Sequence, residues 1–124
     1  AAMIDRGPFV RFVWGLGTHN RLNNHPESSV DRHEDRAADR GGRFDANAPC
    51  LFLRVERQVI WGFPQTNAAL FTIRTYLTNV QELRADSWRR DKIIAALRSM
   101  SDESLRYKGI ADRDSILHWL QRED

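Results

Sequence analysis

The chain holds 124 residues, 41% of them hydrophobic and 29% charged, with one cysteine and a formal net charge of +2. That is one small domain with ordinary globular composition, a core of its own and no internal disulfide framework. The weak net charge argues against a duplex-binding surface, and no run approaches the roughly 18 apolar residues of a membrane span.

Phe9 to Thr18 alternates as a strand, with Phe9, Arg11, Val13 and Gly15 on one side and Val10, Phe12, Trp14 and Leu16 on the other. Trp14 and its neighbours read as core. Residues 23–49 differ in kind, being dense in Asp, Arg, Glu and Gly, with Val30 and Phe44 the only large apolar side chains. They predict a long charged surface loop with a short helix around Asp31 to Asp39. His19, His25 and His33 match no compact metal spacing and read as surface histidines. Cys50, just ahead of an apolar strand, reads as a buried and inert thiol.

Leu51 to Thr78 carries the strongest signal: two strands joined by a Gly/Pro turn, folded near Pro64. In the first, Leu51, Leu53, Val55, Val59 and Trp61 share a face opposite Phe52, Arg54, Glu56, Gln58 and Ile60. In the second, Ala69, Phe71, Ile73, Thr75 and Leu77 oppose Ala68, Leu70, Thr72, Arg74 and Tyr76. A hairpin folded there is expected to set Glu56 opposite Arg74 and Arg54 opposite Tyr76, leaving one oily face and one face of Arg, Glu, Gln, Thr, Arg and Tyr. Two readings of that polar face stand: a wetted sheet surface with a cross-strand ion pair, or the wall of a pocket for a polar ligand.

Beyond the hairpin the period changes from two to about 3.6. Asp86 or Ser87 caps a helix that turns Trp88, Ile93, Ile94, Leu97 and Met100 to the core. Ser101 opens a short helical turn ending at Gly109. Asp112 caps a last helix with Ile116, Leu117, Trp119 and Leu120, on which His118 reads as an exposed helix histidine. Strands followed by helices give an α+β domain over residues 1–124. The cations are nearly all arginine, with lysine only at 92 and 108; arginine favours paired contacts with carboxylates and phosphates. No glycine-rich phosphate loop, paired-cysteine metal motif or nucleophile elbow occurs.

The string LFLRVERQ, a Pro-containing turn and FTIRTYLT together resemble the haem-dependent oxidative N-demethylase family. Val10 to Leu16 resembles that family's preceding strand, typically Arg-x-Asn-Trp-x-Leu. Tyr107-Lys108-Gly109 and Arg113 to Leu117 sit where the family has a Tyr-Lys-Gly turn and a closing helix. The resemblance runs from Val10 to Leu120, with a poor match between about Asn23 and Pro49. It departs from the pattern at Val13, where the family has Asn, which removes a hydrogen-bonding group.

The resemblance implies a PAS-like antiparallel sheet with C-terminal helices. It implies oxidation of a small, dimethylamine-like secondary amine by dioxygen at haem iron, a monooxygenase chemistry served by a reductase subunit in the cytoplasm, with no nucleic-acid or membrane partner. Glu56 would hold the ammonium, Arg11 or Arg54 would polarise oxygen or meet a propionate, Arg74 would neutralise and orient Glu56, and Tyr76 would lend a hydroxyl; Glu56 and Arg11 are the candidate catalytic residues. Arg54, Arg74 and Tyr76 are the candidate cofactor-binding residues. Family members are longer at the N-terminus, and the chain opens Ala-Ala-Met, so the domain is expected to be incomplete, without the segment that holds the axial iron ligand. The other readings are a PAS-like haem or small-ligand module without turnover and an inactive fragment.

Overall fold

The computed structural model describes residues 2–20, 22 and 43–122. The expected helix at Asp31 to Asp39, with His25 and His33, lies outside the described residues. Strands β1 (Phe9–Gly17), β2 (Phe52–Phe63) and β3 (Ala68–Asn79) form one sheet in the order β1-β2-β3. The strands alternate in direction. A short helix α1 (Ala2–Asp5) precedes the sheet. Helices α2 (Val80–Ala85), α3 (Ser87–Ser99), α4 (Asp102–Tyr107) and α5 (Arg113–Gln121) follow it. The fold is α+β, as the switch of period required. Contacts divide the chain into two units: residues 1–14 with 54–76, and residues 15–53 with 77–124.

The second unit holds the helical core. Leu97, Leu120 and Val80 are fully buried, and α3 packs on both α2 and α5. The Val80 N–H donates to Leu51 O at 2.9 Å, tying the first turn of α2 to the residue before β2. Phe44, from the far end of the predicted loop, is buried with its ring 5.3 Å from that of Trp119. Arg84 lies over the same indole at 5.1 Å.

Local chemistry explains the helix ends. Asn79, Asp86 and Ser101 each accept a hydrogen bond from a backbone N–H in the first turn that follows, at 3.0, 3.1 and 3.2 Å. Helix α4 ends on Gly109 at φ 69, with Gly109 N–H donating to Arg106 O and Ile110 N–H to Leu105 O. Those paired bonds, with Leu105 and Ile110 both buried, are the Schellman closure that glycine permits.

Three expectations are corrected here. Asp112 does not cap α5 through its side chain; its Oδ2 accepts from the Phe44 N–H at 2.9 Å and so holds the irregular segment that carries Phe44. Trp88 is 68% exposed, with the Lys92 ammonium 5.5 Å from its ring centre. It stands nine residues before Leu97, about two and a half turns at 3.6 residues per turn, which puts it on the side of α3 away from the buried stripe. Cys50 is exposed, and its thiol donates to Thr18 O at 3.2 Å.

Candidate functional site

The first unit holds the polar cluster. Its geometry follows from the turn between β2 and β3. Phe63 ends β2, Pro64–Thr66 forms a single 3-10 turn, and Asn67 adopts the left-handed conformation (φ 50, ψ 41), its N–H returning to Pro64 O at 3.2 Å. Pro supplies the fixed φ of the first turn position, and Asn is the non-glycine residue best suited to the left-handed one. Ala68 then opens β3.

Four residues between the strands place even-numbered positions of β2 on the same face as odd-numbered positions of β3. The side chains confirm it: an Arg54 Nη donates to Thr75 Oγ1 at 3.3 Å. The expected pairing of Glu56 with Arg74 and of Arg54 with Tyr76 is therefore off by one residue. A slip of one moves every side chain to the other face. Arg74 and Tyr76 lie on the opposite face, where the guanidinium sits 5.4 Å from the phenol ring centre. Both are exposed.

What the structure does bring together is a chain of side chains across all three strands. Arg11 of β1 donates through Nε to Gln58 Oε1 at 2.6 Å. Gln58 donates through Nε2 to Glu56 Oε2 at 2.9 Å. Arg54 donates through Nε to Glu56 Oε1 at 2.9 Å, and its far end reaches Thr75. Gln58 is 7% exposed, the one buried polar or charged residue among those described. The Arg54 and Glu56 side chains keep 23% and 21% exposure.

This arrangement sets the charge state of Glu56. The hydrogen bond from Arg54 pulls its carboxyl below the ordinary value of 4.5; partial burial opposes that, and the Gln58 bond and the Arg54 charge add to it. Glu56 is thus an ionised, oriented carboxylate in a partly sheltered place. A carboxylate offers about four lone-pair directions, and the two bonds from Arg54 and Gln58 leave capacity on each oxygen.

Apolar residues frame the cluster. Phe9, Phe71 and Ile73 share its face and are 45%, 47% and 51% exposed. At the turn end the chain crosses over this face: a Cβ built at Gly62 would collide with the backbone carbonyl of Ile4 in α1, so only glycine allows α1 to lie there. The expected division into one oily and one polar face is corrected accordingly. The face opposite the cluster also mixes types, with Val59 buried but Trp61, Leu70 and Tyr76 exposed beside Arg74.

The family model described as haem-dependent oxidative N-demethylase, alpha subunit-like, matches residues 1–117. The chain belongs to that family. The match takes in β1, the polar hairpin and most of α5, and it extends the resemblance read from Val10 back to the first residue.

The family's name implies haem, and the donor set tests how this chain meets it. Arg11 is a cation whose terminal nitrogens carry no partner among the described residues, beside an apolar rim. That suits the carboxylate edge of a macrocycle. Iron asks for His, Cys, Met or Tyr; no described strand residue on the cluster's face is one of them, and Met3, in the helix that crosses this face, is 59% exposed. Met3 and Tyr76 are the sole such donors described in this unit, and Tyr76 is on the other face. His118 and Cys50 belong to the other unit and are exposed, and His19 there is half-buried. The cluster fits the periphery of haem and does not fit its iron.

Two hollows are lined by described residues of the helical unit. One, of about 20 Å³ among Leu16, Phe44, Leu51 and Ile116, has room for a single water; the Thr18 hydroxyl is buried at its wall without a partner. The other is an open cleft of about 430 Å³ between α4 and the start of α5. Neither includes a residue of the cluster. Among the described residues no three acidic, histidine or cysteine side chains gather as a metal site, and no helix is long and apolar enough to cross a membrane.

Sequence reasoning named Arg11, Arg54 and Glu56 as candidates, and the structure brings these three together through Gln58. It saw Gln58 on the face without giving it a role, and it placed Thr75 on the other side. The missing signal was the parity of the turn.

Proposed function

We propose that this chain serves haem-dependent oxidative N-demethylation of a small secondary amine, with Glu56 as the residue that holds the substrate ammonium. The observation that carries the reading is the state of Glu56: ionised, oriented by Arg54 and Gln58, sheltered to about four-fifths and framed by apolar side chains that suit N-methyl groups. The family membership supplies the reaction class.

In the net reaction a methylated secondary amine, dioxygen, two electrons and two protons yield the demethylated amine, formaldehyde and water. A reductase partner delivers the electrons. Haem, when bound, supplies the oxidising chemistry. The chain's own residues do four things. Glu56 accepts charge-assisted hydrogen bonds from the substrate ammonium. Arg54 holds that carboxylate ionised and points it. Gln58 fixes the other carboxylate oxygen. Phe71 and Ile73 contribute apolar surface against the methyl groups. Arg11 stands at the edge of the site, bonded to Gln58 and with no anionic partner among the described residues, and Arg74 and Tyr76, stacked on the far face, take no part in this reading.

The test is direct. Purified protein is titrated with haem and the Soret band recorded, then dimethylammonium, reductant and dioxygen are added and formaldehyde is measured. Amine-dependent formaldehyde that disappears in Glu56→Gln supports the proposal. A Soret band without any turnover would make the chain a haem-binding module instead. No Soret band at all would end the haem reading for this polypeptide.

A further inference from the structure

The face of the sheet opposite the cluster carries a signal of its own. Val10 and Phe12 of β1, Trp61 and Phe63 of β2, and Leu70 and Tyr76 of β3 alternate onto it, and these six are 43–67% exposed. All belong to the first unit. The charged strand residues that share this face there are Arg57 and Arg74, both exposed, and neither meets an acidic side chain among the described residues. Aromatic residues and arginine are what protein interfaces gather, while aspartate, glutamate and lysine are what they shed. Four aromatic side chains of roughly 150–250 Å² each, about half uncovered, expose about 400–500 Å². Val10, Leu70 and the two arginine stems bring the face to about 800 Å², the area each partner gives to an interface of standard size.

The residues are ordered along the strands in a way that suits a copy of the same surface. Strands β2 and β3 have 12 residues each, and the loop between them sets Trp61 level with Leu70, Val59 with Thr72, Arg57 with Arg74 and Val55 with Tyr76. The aromatic end therefore lies toward the turn and the guanidinium end lies the same distance beyond Val59 and Thr72. A twofold axis crossing the strands at Val59 and Thr72 would lay two such sheets face to face with β2 running against β2. Arg57 of each copy then stands over Trp61 of the other, a favourable guanidinium–indole pairing, and Arg74 stands over Leu70. The arginine pairs of the two copies stay about 13 Å apart along the strands, more than a Debye length at physiological salt. The other twofold, with the strands running the same way, would stack all four guanidinium groups together.

We propose that this face binds a second copy of the chain in the antiparallel arrangement, with Trp61 of each copy against Arg57 of the other. The cluster lies on the opposite face, so the dimer and the proposed demethylation stand or fall separately.

Sedimentation velocity of the full chain between about 1 and about 200 µM reads the association, and a dimer with a Kd of about 10 µM or below is expected for a face of this size. Trp61→Arg sets a second guanidinium against Arg57, and Arg57→Glu takes the cation away from the indole. Each should weaken the dimer roughly tenfold or more, and because both positions are exposed each should keep the thermal midpoint of the unaltered chain. Mixed in equal amounts, the two variants should recover the dimer: the introduced guanidinium meets the introduced carboxylate, and the second Arg57–Trp61 contact is unaltered. A chain that stays monomeric at every concentration overturns the proposal; if it then binds vesicles of phosphatidylserine and phosphatidylcholine, the face belongs to a membrane. A dimer as tight in Trp61→Arg as in the unaltered chain overturns it too, and so do folded variants that stay monomeric when mixed.

Discussion

Replacing Gln58 by methionine keeps the volume of the side chain and removes both of its hydrogen bonds. On the Arg11 side the loss is small, because that guanidinium is exposed and water can take the place of the amide oxygen. On the Glu56 side the carboxylate oxygen is mostly sheltered, and a hydrogen bond to a charged group contributes about 1.5–3 kcal/mol. The thioether returns some of this by burying apolar surface at the centre of the sheet, about 0.8 kcal/mol per methylene-sized group. The net cost at neutral pH is therefore about 1–2 kcal/mol, a fall of roughly 4–8 °C in the thermal midpoint of a domain this size.

The pH dependence gives the prediction its edge. The carboxyl of Glu56 is held below 4.5 in the folded chain, so its contribution is fully present above that ordinary value and is lost as pH falls through the lowered one. Gln58 supports the ionised form. Urea unfolding of both proteins should show a gap at neutral pH that narrows once Glu56 is protonated. Equal stability at neutral pH, or a gap that persists undiminished in acid, would refute the idea that Gln58 acts by holding a charged Glu56.

Further outcomes follow from the same coordinates. Arg54→Met removes the largest cause of the lowered Glu56 titration, and carboxyl-carbon NMR should show the midpoint rising; an unmoved midpoint contradicts the assignment. Substrate ammonium binding should weaken as pH falls through the Glu56 titration, whereas a calorimetric affinity flat across that range speaks against Glu56 as the anchor. Leu97→Ala empties a fully buried position between packed helices and should cost about 2–5 kcal/mol in chemical unfolding, with the spread set by how far α2 and α5 can close in. Gly62→Ala puts a methyl group against the Ile4 carbonyl, where backbone must move; a cost of about 1–3 kcal/mol is expected, with faster hydrogen exchange confined to residues 2–8.

Much of the fold was legible because single residues settled local questions. Asp86 and Ser101 cap the helices they were expected to cap, since a short side-chain acceptor before an exposed first turn has few other options. Gly109 closes α4 because the left-handed position tolerates little else. Asp112 went the other way: the Phe44 amide, 68 residues away in sequence, competes for the same carboxylate, and no local pattern reveals that contact. Trp88 misled because apolar character alone drew it to the core, although its angular position on the helix already opposed Leu97. The short helices α1 and α2 carry too few residues for a period to show.

The site was legible by strand and illegible by face, and the reason is general. Alternation along β2 fixes that Arg54, Glu56 and Gln58 share a side whatever happens elsewhere, and their contacts are accordingly along one strand. Which residues of β3 join them depends only on whether the turn holds an odd or even number of residues. Here Asn67, left-handed without being glycine, lengthens the 3-10 turn to an even loop. That one residue puts Thr75 and the apolar Phe71 and Ile73 on the face of the carboxylate and sends Arg74 to the other. Had Arg74 stayed, Glu56 would face two arginines of the hairpin in addition to Arg11, and its remaining lone pairs would be spent on them. The turn thus decides that Glu56 keeps capacity for a ligand. It also puts Phe71 and Ile73, in place of a guanidinium, on the face that carries Glu56. A wetted sheet face would need neither a buried glutamine nor a carboxylate sheltered to about four-fifths; the cluster has both, and the parity of a four-residue loop sets Thr75, Ile73 and Phe71 on the same face.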